Sequence, residues 1–202
     1  ERSQNFAFIV IPIFLVINPL YSIIKYDHLL SQTDTREVAK GWIEENIDIG
    51  STIAIEDGTY SPALVRSQDN LRKQLLDGRS IGGGKAIEIL LEIPDENYPE
   101  NTYDLVSIWK PNEGFFIGKW DRRAEDVLND LILNGVEYVI INSYSCDRYF
   151  TLETLNNLYE ETEPRRKFYQ LLEENYKIAN KFMPNDKDRP GPIIKIFQIQ
   201  IG

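Results

Sequence analysis

The chain has 202 residues, of which 42% are hydrophobic and 27% charged, a balance that supports one domain with a real core. A formal charge of −10 argues against a nucleic-acid surface, which carries a basic patch. One cysteine excludes an intrachain disulfide framework and a Cys-rich zinc site, and one histidine (His28) leaves little for a Ser-His-Asp or Cys-His centre.

The first feature is Phe6–Ile24, FAFIVIPIFLVINPLYSII, which contains no charge. As a helix rising about 1.5 Å per residue it would be about 28 Å long, close to the hydrocarbon thickness of a bilayer. Pro12, Asn18 and Pro19 are awkward in a soluble helix and tolerable in a membrane span. The alternative is a buried pair of strands broken at the prolines. The spacing therefore divides the chain into a hydrophobic helix over 1–25, the end of a membrane span, and a soluble α/β domain over 26–202.

The stretch DTREVAKGWIEENIDIGSTIAIE, Asp34–Glu56, organises the rest. Asp34 is placed to cap a helix, with Glu37 three residues on as its capping-box partner. Val38, Ala39, Trp42, Ile43 and Ile47 keep returning to one face, which predicts a helix near 35–46 with Trp42 in the core. Asn46 and Gly50 end it, and Thr52–Ile55 is a β-favouring run closed by the turn signal Asp57-Gly58.

Ser61-Pro62 reads as a helix start, with Leu64, Gln68, Leu71 and Leu75 marking a face over 62–76. Gly82–Lys85 (GGGK) invites a phosphate-loop reading, but Ala86 stands where a Walker hydroxyl belongs, so a turn is the default. Ala86–Ile93 suits a short helix or a strand. Further strands are expected near 103–109, 137–142, 178–183 and 193–200, and helices near 122–134 and 164–175. Asp121 is expected to cap the first of these helices and Asn134-Gly135 to end it. Alternation of strands and helices predicts an α/β fold: a mixed, mostly parallel sheet with helices on both faces, a Rossmann-like three-layer arrangement preceded by the hydrophobic helix.

Sites in such folds gather at the carboxyl ends of strands. That position selects Glu56 and Asp57 after the first strand, as a cation or hydroxyl site, although a turn-stabilising Asp57 explains the pair as well. It also selects SYSCDRYF, where Ser143, Tyr144, Asp147, Arg148 and Tyr149 are available. The bland alternative there is that Arg148 pairs with a carboxylate and the tyrosines pack. Cys146 reads as a small buried residue. No catalytic, cofactor-binding or metal-ligating residue is assigned.

Asp34–Glu56 resembles the segment after the last membrane span of certain GT-C-type membrane glycosyltransferases, which use a sugar carried on a polyprenyl phosphate. Val136–Tyr149 (VEYVIINSYSCDRY), Phe168–Tyr176 and Pro190–Ile199 (PGPIIKIFQI) resemble the same C-terminal extracytoplasmic domain. The resemblance runs from about Pro19 to Ile201, and its motifs are structural. It implies an accessory domain on the extracytoplasmic side of a cell membrane. Its catalytic carboxylates and any divalent cation would belong to the membrane part of a longer parent, with no cofactor in this piece. The implied partners are the membrane through Phe6–Ile24, the rest of the parent, and a second copy through the hydrophobic helix, with no nucleic acid. Two other readings stand beside it: a membrane-anchored binding module without chemistry, and a nucleotide-dependent α/β enzyme.

Overall fold

The computed structural model describes residues 2–56, 59–76, 84–108, 123–151, 159–185 and 189–199; the side chains of 2–15, 151 and 159–162 fall outside that description. The chain opens with one continuous helix, α1 (Arg2–Leu30), rather than a pair of strands. Among the described residues, no helix is long and apolar enough to cross a membrane, and the run Phe6–Ile24 lies largely on residues whose side chains are not described.

The expected unit then follows. In α2 (Thr35–Asn46), Asp34 caps by accepting from the Arg36 backbone N–H at 2.8 Å. The carboxylate's side-chain partner is the Arg36 guanidinium, while Glu37 is exposed. Gly50, at φ 86°, turns the chain into β1 (Thr52–Ile55).

The expected helix over 62–76 is shorter than its apolar spacing suggested. Val65–Arg66 is instead a short strand, β2, and the helix α3 is Gln68–Leu76. Ser61-Pro62 does not start it: Ser61 is buried and donates to the Glu56 carbonyl, whereas Ser67 Oγ takes the Asn70 N–H at 3.0 Å. Next come α4 (Gly84–Leu91) and, after a 3₁₀ turn at Asp95–Asn97, β3 (Thr102–Ser107). Gly84 and Lys85 begin α4; Gly82 and Gly83, with the aromatic stretch 109–122 and its cap Asp121, lie outside the described residues.

The helix α5 (Ala124–Leu133) ends at Gly135 (φ 73°), with Val136 N–H on the Leu131 carbonyl and Gly135 N–H on Ile132, both at 3.0 Å. The rest is β4 (Tyr138–Asn142), two single turns α6 (Ser143–Cys146) and α7 (Arg148–Thr151), α8 (Tyr159–Asn175), β5 (Lys177–Phe182) and β6 (Ile194–Gln198). The helix expected from Pro164 begins a turn and more earlier, with that proline inside it.

The six described strands form one mixed sheet in the order β2-β3-β1-β4-β6-β5. The first four pair in parallel; β6 and β5 add an antiparallel edge. Strand alternation divides the core. Ala54, Val139, Ile141 and Phe197 meet α5 and α8 on one face, in a cluster with Val127, Leu131, Phe168 and Leu172. Ile53, Ile55, Ile140, Ile194 and Ile196 meet α2 on the other, with Ala39 and Ile43 fully buried. Trp42 is corrected from core to rim: it is half-buried and packs edge-on to Phe182, because Ala39 and Ile43 point more directly at the sheet.

Candidate functional site at the carboxyl end of the sheet

After β1 the chain goes to β2 and β3 on one side, and after β4 it goes to β5 and β6 on the other. The carboxyl ends of β1 and β4 therefore form the topological switch point, where open α/β sheets leave a crevice. Two polar residues close these strands. Glu56 follows β1 and is 1% exposed; Asn142 ends β4 and is 2% exposed. The parity that sends Ala54 toward α8 sends Glu56 there as well.

Glu56 Oε2 accepts from the Asn142 backbone N–H at 3.0 Å and from Asn142 Nδ2 at 2.8 Å. Glu56 Oε1 accepts from the Tyr169 hydroxyl. Asn142 Nδ2 also reaches Ser61 Oγ at 3.3 Å, and its Oδ1 caps α6 by accepting from Ser145 N–H at 2.9 Å. Ser61 in turn donates to the Glu56 carbonyl at 2.7 Å. Tyr169 stacks on Tyr149, ring centroids 5.9 Å apart, and the Tyr149 hydroxyl accepts from the buried Arg165 guanidinium at 2.7 Å. A buried carboxylate is tolerable only when donors replace its water, and these groups supply them.

The electrostatics hold protons in place. Burial, then the charge of Glu56, push the Tyr169 phenol well above its ordinary range. Burial, then Glu56, push the Cys146 thiol up to about 12. Neither is a nucleophile near neutral pH. A small cleft of about 40 Å³ opens beside them, lined by Ile141, Asn142, Ser143, Cys146, Asp147, Ile193 and Lys195, which is room for a water or so. Among the described residues, no group of His, Cys, Asp and Glu is arranged to hold a metal ion.

The chain matches no family model, no curated protein and no solved structure.

Of the residues selected from sequence, Glu56 is the buried centre of the hub, and Asp57 lies outside the described residues. Tyr144 is not beside Glu56 in the core: it is 55% exposed, with its ring edge-on to Tyr60 at 5.1 Å. Asp147 is exposed. Arg148 is half-buried, donates to the Ser145 carbonyl at 3.0 Å and lies over the Tyr149 ring. Ser143 Oγ accepts the Ile193 N–H at 3.0 Å, which fastens α6 to the start of β6. His28 is exposed near the end of α1, away from Cys146 in the core. Sequence reasoning missed Asn142, Ser61, Tyr169 and Arg165. A polar residue ending the most apolar strand was the available signal for Asn142; Tyr169 and Arg165 had none beyond sitting on an amphipathic helix.

Proposed function

We propose that this chain is the extracytoplasmic accessory domain of a GT-C-type membrane glycosyltransferase using a polyprenyl-phosphate sugar. In this reading α1 is the end of the last span, and the catalytic residues belong to the rest of the parent. One observation carries it. Every side chain from Val16 to His28 is exposed, including Val16, Ile17, Leu20, Tyr21, Ile23 and Ile24. An apolar surface of that extent is rarely left in water, so α1 needs hydrocarbon or another helix around it. The hub supports the same reading from the chemical side: Glu56 is spent on donors within the fold, and the thiol and phenol beside it stay protonated. The domain's part is to shape the acceptor side or to stabilise the parent.

The test has two arms. A cysteine placed at the exposed Glu96 should react with a membrane-impermeant reagent in intact cells once any outer barrier is opened, while the buried Cys146 stays silent. Reaction only after lysis of the cytoplasmic membrane puts the domain inside and breaks the reading. The purified chain should not transfer sugar from a polyprenyl-phosphate donor or hydrolyse nucleotides; saturable, cation-dependent turnover by the chain alone would replace the proposal with the nucleotide-enzyme reading.

A further inference from the structure

We infer that the carboxyl end of the sheet is seated on the lipid headgroup layer, with Tyr60 and Tyr144 as interfacial anchors. The inference rests on the reading that α1 enters a bilayer, and adds which end of the domain faces it.

The observation is where the chain leaving α1 is fastened. Four residues after Leu30, Asp34 caps α2 and grips the Arg36 guanidinium, which donates to the Thr59 carbonyl. Thr35, fully buried, donates its N–H to Pro190 O at 2.9 Å and its hydroxyl to Pro192 O at 2.7 Å. Gly191 lies so close that a Cβ there would stand 2.2 Å from Thr35 Oγ1. Thr59 lies just beyond the carboxyl end of β1. Pro192 precedes β6, whose first residue pairs with Asn142 at the carboxyl end of β4. All these bonds join the start of α2 to one end of the sheet, the end at the switch point. The opposite end is a strand length away, roughly 16 Å for the five residues of β4 at about 3.3 Å each.

The exposed surface at the near end has interfacial chemistry. Tyr60 and Tyr144 are 41% and 55% exposed and meet edge to face. Arg36 ties Asp34 to the Thr59 carbonyl, next to Tyr60 in the chain, and is within electrostatic reach of Tyr144. On α1, Tyr26 is exposed directly after Lys25, where the uncharged run stops. Tyrosine favours the membrane–water boundary because its ring suits the acyl edge and its hydroxyl the wet headgroups. Only Ser31–Thr33 separate Leu30 from this fastened start of α2, so the tyrosine pair and the end of α1 meet the same layer.

The experiment uses the full chain in liposomes on a Cys146→Ala background, with a fluorophore on Thr59→Cys or on Leu133→Cys, the latter exposed on α5 at the amino end of β4. A lipid bearing a nitroxide on its headgroup quenches over short range. Quenching should be several-fold stronger at position 59 than at 133. Replacing Tyr60 and Tyr144 by serine should lower it at 59 while the chain still floats with the liposomes. Equal quenching at both positions, stronger quenching at 133, or no response to the serine pair overturns the inference. A chain that fails to float at all overturns the insertion of α1 instead, so the two failures are distinguishable.

Discussion

Replacing Glu56 by leucine keeps most of the side-chain volume and removes every acceptor at the centre of the hub. Two donors then lose the Glu56 carboxylate as acceptor: the Asn142 backbone N–H and the Tyr169 hydroxyl. Asn142 Nδ2 keeps Ser61 Oγ at 3.3 Å. A buried donor left unmade costs about 1–3 kcal/mol, so the pair costs about 2–6 kcal/mol; removing a buried charge returns part of that, leaving about 3 kcal/mol. Glu56→Gln should cost about 1 kcal/mol, because its carbonyl still serves Asn142 and the Tyr169 hydroxyl can rotate to accept from the amide. Tyr169→Phe made with Glu56→Gln should give less than the sum of the two, since both act on one bond. The assay is urea unfolding of the full chain in detergent, followed by far-UV circular dichroism. A Glu56→Leu midpoint equal to or above that of the parent would refute the hub as a structural element, showing that desolvating the carboxylate costs more than its bonds return.

Other outcomes follow from the same geometry. Gly191→Ala should destabilise by about 2–4 kcal/mol in the same titration, since its φ of 114° and the 2.2 Å approach to Thr35 Oγ1 both exclude a side chain. The Cys146 thiol ionises at about 9.0 when unfolded and about 12 when folded, so its contribution is complete below pH 9 and is lost as pH rises through that window. Over those three units the loss reaches about 4 kcal/mol, and Cys146→Ala should flatten that part of the alkaline stability curve. Burial opposes ionisation of Asp34, but the bonds and charge of Arg36 outweigh it and hold the carboxyl below 3.8. Its stabilisation is therefore present above that pH and lost as pH falls below it; Asp34→Asn should remove this part of the acid slope. Trp42→Ala should cost about 2 kcal/mol, less than for a core tryptophan, because the ring is half-buried at the rim; an unchanged urea midpoint would show that its packing on Phe182 contributes nothing.

The sequence by itself determined what is local. The apolar period of Val38 to Ile47, the Asp34 cap, Gly50 and Gly135 as stops, and the β-branched run before Asn142 are each legible within a few residues, because caps, stops and periodicity are short-range physics. They were enough to place α2, α5, α8 and five of the six described strands, and to predict a mixed sheet with helices on both faces. Where a tertiary bond outweighed a local preference, the reading failed. Ser61 abandoned a helix start to bond Glu56 and Asn142, and Val65-Arg66 paired with β3 instead of joining the helix. Trp42 and Ala39 look equally inward on a helical wheel, and only the position of the sheet separates rim from core.

The hub belonged wholly to the tertiary structure. Glu56 and Asn142 lie 86 residues apart, and Glu56 and Tyr169 lie 113 apart. No spacing rule joins them; the parallel pairing of β1 with β4 and the docking of α8 do. Strand-end position alone selected Glu56, as a surface site, whereas the structure buries it. That it faces inward follows from a parity the sequence shows, and that donors await it there follows from which helix covers that face. A carboxylate's role is set by its surroundings, and for Glu56 those surroundings exist only once the chain has folded.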